Sequence, residues 1–99
     1  MERSDLISRL REHRASLSAL GARRLFLFGS VSRGDDGAGS DVDILVEPSR
    51  ADFSLFDMMD LSDAVSRLIG RKADLHDFRG LDRVPRLKAT IARDLIHVF

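Results

Sequence analysis

Two carboxylates, Asp41 and Asp43, stand one residue apart at the head of an apolar run, and no other residues here are better placed to do chemistry. The run from Val42 to Glu47 reads as a strand, along which side chains alternate between two faces. Asp41 and Asp43 therefore point one way, and Val42, Ile44 and Val46 the other. Like charges held side by side repel unless a cation neutralises them. Oxygen donors alone suit a hard cation such as magnesium. Just upstream, Gly29-Ser30 follows the apolar run Leu25 to Phe28 and opens a short helix, whose first backbone N–H groups suit an anion such as phosphate. A cation site beside a phosphate cradle points to phosphoryl or nucleotidyl transfer.

Those residues need a scaffold, and the periodicity predicts one. Residues 3 to 20 form a helix with Leu6, Leu10, Leu17 and Leu20 on one stripe, Ser4 as N-cap and Gly21 just past its end. Leu25 to Phe28 is a strand covered on both faces, and Arg23 and Arg24 before it are solvated edge charges. Asp35 to Ser40 is a loop in which Asp35 and Asp36 are solvated. Pro48 ends the second strand because it cannot donate to a ladder. Ser54-x-x-Asp57 resembles a capping box opening a helix to about Ile69, with Gly70 beyond its end. Lys72 to Phe78 is a third strand carrying Lys72, Asp74 and His76 on one face and Ala73 and Leu75 on the other. His76 is not counted among the site residues. A last helix starts near Asp82, tolerates Pro85 in its first turn, and has Leu87, Ile91, Leu95 and Val98 as its stripe. His13 and His97 are read as structural. The order helix, strand, short helix, strand, helix, strand, helix predicts an α+β fold, a small mixed β-sheet with helices packed mainly on one face. The face bearing the aspartates is expected to stay open.

Other motif readings fail on spacing. Gly29 and Gly34 are spaced as in a P-loop, but Asp35 stands where lysine is required. A calcium loop beginning at Asp41 would need an oxygen ligand at Leu45 and glycine at Val46. Gly37-Ala38-Gly39 starts like a dinucleotide fingerprint but precedes a strand rather than a helix.

The 99 residues correspond to a single domain, residues 1–99, with one modest core. Sixteen basic and sixteen acidic residues cancel, which argues against a strongly basic nucleic-acid face or an affinity for anionic membranes. With no cysteine there is no disulfide framework or thiolate zinc site. No apolar run approaches the roughly 18 residues of a membrane span, and no signal-peptide core is present at the start. A soluble cytoplasmic protein is the expectation.

Gly29-Ser30-x-x-Arg33-Gly34 followed by Ser40-Asp41-x-Asp43 resembles the signature of the DNA polymerase β-type nucleotidyltransferase superfamily, and the short chain its minimal nucleotidyltransferase (MNT) branch. The resemblance implies a third carboxylate on a later strand, for which Asp74 is the candidate. It implies that Asp41, Asp43 and Asp74 are catalytic and hold two Mg²⁺ ions. Gly29, Ser30, Arg33 and Ser40 would bind the triphosphate of a nucleotide such as ATP. Asp74 would also accept or steer the proton of the attacking hydroxyl.

Short proteins of this branch pair with a helical HEPN protein as a toxin–antitoxin system. The resemblance makes this chain the antitoxin, which moves AMP from ATP to a tyrosine of the HEPN ribonuclease toxin. The chain has no tyrosine, so such an acceptor lies on another molecule. Two rivals stand beside this reading. One is transfer to a small hydroxylated molecule, although enzymes of that kind carry an added substrate domain. The other is a non-enzymatic antitoxin that acts by binding alone.

Overall fold

Four strands in the order β3-β2-β1-β4 organise the computed structural model, which describes residues 2–34 and 41–99. Strand β1 (Ala22–Phe28) lies in the middle, antiparallel to both β2 (Val42–Pro48) and the two-residue β4 (Ile96–His97). Strand β3 (Ala73–Asp77) runs parallel to β2 at the edge. A parallel pair needs a crossover, and α4 (Leu55–Ile69) supplies it.

The alternation along β1 and β2 divides the core in two. Leu25, Leu27, Val42, Ile44 and Val46 face α1 (Arg3–Glu12), α2 (Arg14–Ala19) and α4, where they meet Leu6, Leu10, Leu17, Leu61, Val65 and Ile69. Phe26, Phe28 and Leu45 point to the other face and pack with Leu81, Leu87 and Ile91. These last residues come from a 3-10 helix (Phe78–Arg83) and α5 (Pro85–Asp94). The face expected to stay open is therefore partly covered. Three helices on one face against α5 and a 3-10 turn on the other keep the predicted α+β arrangement, with helices mainly on one face.

The crossover helix starts as its sequence predicts. The Asp57 N–H donates to Ser54 Oγ (3.3 Å) and the Ser54 N–H to Asp57 Oδ2 (2.8 Å), a reciprocal capping box, and Gly70 ends the helix at φ +66°.

Four expectations about the bounds of elements need correction. The first helix does not run unbroken from 3 to 20. His13 sits between α1 and α2 at φ −103°, ψ 19°, and its Nδ1–H donates to the Arg9 carbonyl (2.9 Å), taking the acceptor that the next helical N–H would use. After this break Leu17 stays buried but Leu20 turns outward, and the N-cap is Glu2 rather than Ser4. The last helix starts at Pro85 behind Val84, not near Asp82, because the 3-10 turn occupies residues 78–83. It also ends at Asp94: Leu95 is extended at ψ 125°, Ile96–His97 joins the sheet, and Val98 and Phe99 enter the main core. No helix among the described residues is long and apolar enough to cross a membrane.

Candidate active site

Strand register builds the site. Phe28 pairs with Asp43 across the antiparallel β1–β2 ladder, so the residue after Phe28 lies beside the Asp43 carboxylate. That residue is Gly29, at φ +75°, where a Cβ would come within 2.4 Å of Asp43 Oδ2. Only glycine combines the left-handed backbone with the missing side chain. It opens α3 (Gly29–Arg33), a five-residue helix that Gly34 closes at φ +77°. Ser30 is half-buried in its first turn.

On the other side of β2, the parallel register pairs Asp43 with Asp74. Period-two alternation then brings His76 onto the same face. Its Nε2 lies 3.3 Å from Asp74 Oδ2 and 3.8 Å from Asp43 Oδ1. Donor atoms of Asp43, Asp74 and His76 all fall within 4.8 Å of one another. The Phe28 ring meets the imidazole edge-on, with centroids 5.1 Å apart.

The electrostatics of this corner are unbalanced. Burial pushes the Asp43 carboxyl above its ordinary range, and the neighbouring charges of Asp74 and Asp41 push it further. His76 and Arg33 oppose the shift without cancelling it. A cation suits such a corner. Its donors, carboxylate oxygens with an imidazole nitrogen beside them, fit a divalent ion.

The other predicted residues are placed less directly. Asp41, just before β2, is half-exposed, and its carboxylate lies 3.7 Å from Lys72 Nζ, outside the three-residue group. Arg33 pairs with Asp94 Oδ2 (2.8 Å) while its charge still acts on Asp43. Ser32 Oγ donates to the Asp94 carbonyl, and Arg3 donates to the Ser32 carbonyl (2.6 Å). Helix α3 is thus fastened to the end of α5. Ser40, with Asp35 and Asp36, lies outside the described residues. The residue left out of the predicted set is His76, although its alternation with Asp74 was the signal that places it there. Arg23 and Arg24 lie inside β1 rather than before it, and both pair with Glu47 of β2, Arg23 Nε standing 3.5 Å from Glu47 Oε1.

A turn against a strand carboxylate, and a second carboxylate on the adjoining parallel strand, define the corner of a nucleotidyl-transferring fold. Known proteins agree, for the Nucleotidyltransferase domain family matches residues 7–98, and the chain belongs to that family. Within it the chain is a minimal nucleotidyltransferase. It superposes on a solved structure assigned to that type with a TM-score of 0.80 and 33% identity, covering 97% of this chain and 95% of that one. A chain of Methanocaldococcus jannaschii assigned as a protein adenylyltransferase is 31% identical over 97 residues, 96% of each chain. A chain in the solved complex of the tri-AMPylated Shewanella oneidensis HEPN toxin with MNT antitoxin shares the fold, at a TM-score of 0.63 and 17% identity. That match covers 90% of this chain and 68% of the other.

Proposed function

We propose that this chain moves AMP from ATP to a hydroxyl, a tyrosine of a partner HEPN ribonuclease toxin, and acts as that toxin's antitoxin in the cytoplasm. The observation that carries the reaction class is the convergence of Asp43 and Asp74 from paired strands beside the Gly29 turn. The protein acceptor is supported by the adenylyltransferase assignment of the archaeal relative and by the AMPylated toxin bound to a protein of this fold. It is also in keeping with a chain that has no tyrosine of its own.

In this reading Gly29 lets the triphosphate approach the backbone of α3, and Ser30 and Ser40 bind it through N–H and hydroxyl groups. Arg33 offsets charge on the β- and γ-phosphates, for which its guanidinium must turn from Asp94 or be shared with it. The acceptor oxygen attacks the α-phosphorus while the bond from that phosphorus to the β-phosphate oxygen breaks. Pyrophosphate departs with the bonding electron pair. Asp74, the more exposed of the two paired carboxylates, takes the hydroxyl proton and passes it to water. Two Mg²⁺ ions held by Asp41, Asp43 and Asp74 would supply neutralisation of phosphate charge and acidification of the attacking hydroxyl. Positioning and electrostatics provide most of the rate.

Intact-mass spectrometry of the helical partner after incubation with this protein, ATP and Mg²⁺ tests the proposal. The expected result is a gain of one or more AMP units that is absent with Asp43→Asn. A stable complex with no mass gain would replace transfer by inhibition through binding. AMP appearing instead on a small hydroxylated compound would move the acceptor off the protein.

A further inference from the structure

His76 has no place in the reaction just described, yet its Nε2 atom is buried and has no hydrogen-bond partner among the described residues. A buried polar atom without a partner is costly, and such an atom beside two carboxylates calls for an explanation. Both carboxylate oxygens lie close, at 3.3 Å and 3.8 Å, without forming a hydrogen bond to it. Donors at adjacent corners of an octahedral ion with bonds of about 2.1 Å stand about 3 Å apart, so the Asp74 pair is close to that spacing and the Asp43 pair would have to draw in around a common centre. The ring is positioned from behind by Phe28, and β3 sets its direction through the same alternation that sets Asp74.

We propose that His76 Nε2 is a direct ligand of the cation bound by Asp43 and Asp74. The site is then a mixed nitrogen–oxygen site rather than an all-carboxylate one, and it prefers Mn²⁺ to Mg²⁺. Imidazole nitrogen adds little for the hard, oxygen-seeking magnesium ion but strengthens binding of first-row transition ions. The proposal builds on the reading of Asp43 and Asp74 as metal ligands, but its test needs neither nucleotide nor acceptor.

The alternative role for His76 is that of a positive counter-charge to the two aspartates, and the two roles predict opposite signs. A ligand lost in His76→Ala weakens Mn²⁺ binding. A counter-charge lost in the same variant leaves a more negative site and strengthens binding of every divalent ion. Titration of the protein with Mn²⁺, followed by electron paramagnetic resonance of the free ion, reads the sign directly. The expected result is about a tenfold loss of Mn²⁺ affinity in His76→Ala, with a smaller loss for Mg²⁺ measured by competition. Electron spin-echo modulation of the bound Mn²⁺ should carry imidazole-nitrogen frequencies in the wild type and in His97→Ala, and lose them in His76→Ala. Thermal melts of the variant without metal show whether its fold is retained. Should His76→Ala misfold, nitrogen modulation in the wild type that survives both His13→Ala and His97→Ala leaves His76 as the donor. Unchanged or tighter Mn²⁺ binding in a folded His76→Ala, or no nitrogen modulation in the wild type, overturns the proposal. Failure of AMP transfer with these binding results intact would instead overturn the proposed reaction.

Discussion

At the scale of single residues, Gly29 and Asp43 are one device. The glycine exists to let the carboxylate stand where it does, so Gly29→Ala forces the carboxylate to move. The displaced atom is the end of a short side chain, and the left-handed backbone costs about 1–2 kcal/mol for a non-glycine residue. The expected outcome is a modest loss of stability, measured by denaturant titration, with transfer activity down by about a hundredfold or more because a reacting group is misplaced. Asp43→Asn should behave in the opposite way towards stability. Because the folded state raises the Asp43 pKa, the protein holds that proton more tightly folded than unfolded. Stability is therefore lost as pH rises through the raised value, and at neutral pH the ionised group is a burden. Removing the charge should raise the metal-free melting temperature by a few degrees while abolishing transfer. A lower melting temperature at neutral pH would show that Asp43 supports the fold. His76 teaches a different lesson. Its position was readable from the two-residue period, but its partners were not, because Asp43 meets it only through the pairing of β2 with β3.

At the scale of elements, local signals predicted what local chemistry builds. The Ser54–Asp57 box and Gly70 bound α4 as read, because a cap needs only residues near in sequence. The misread end of the last helix was decided by distant contacts. Leu87, Ile91, Leu95 and Val98 have helical spacing, yet the Val98 N–H is claimed by the Leu25 carbonyl, and a two-residue strand has no period to read. The Asp77–Arg79 pair is another distant tie. Arg79 donates to both Asp77 carboxylate oxygens and to the carbonyls of Ala51 (3.1 Å) and Phe53 (2.9 Å), fastening the loop before α4 to the end of β3. These bonds hold the Asp77 carboxyl below its ordinary value of 3.8, against the opposing effect of burial. The stabilisation is present above that value and is lost as pH falls through the depressed one. Asp77→Asn should cost about 1 kcal/mol at pH 7, and its denaturation curve should converge with that of the wild type in strong acid. A constant difference across that range would assign the loss to packing instead of charge.

At the scale of the whole molecule, the two ends of the described chain meet on one side of the sheet. Arg11 of α1 donates to the Val98 carbonyl (2.6 Å) and the His97 carbonyl (3.3 Å), while Leu25 N–H bonds to the Phe99 carbonyl (3.0 Å). Phe99 is 6% exposed in the main core. Phe99→Ala should cost about 3 kcal/mol, a large share of the 5–15 kcal/mol typical of a domain. Urea midpoints measure it, and a loss below about 1 kcal/mol would show that this end of the chain contributes little. The sequence foretold the layers but not this closure, since charge and composition say nothing about which strands are neighbours.

The pairing of β2 with β3 has one more consequence. Slipping β3 by a single residue would turn Asp74 and His76 inward against Leu61 and Val65 and turn Ala73 and Leu75 out to water. The polar residues at this corner therefore also penalise a one-residue slip of β3. A chain that has found its folded core has, by the same test, already brought Asp74 and His76 to face Asp43, so the corner proofreads the fold.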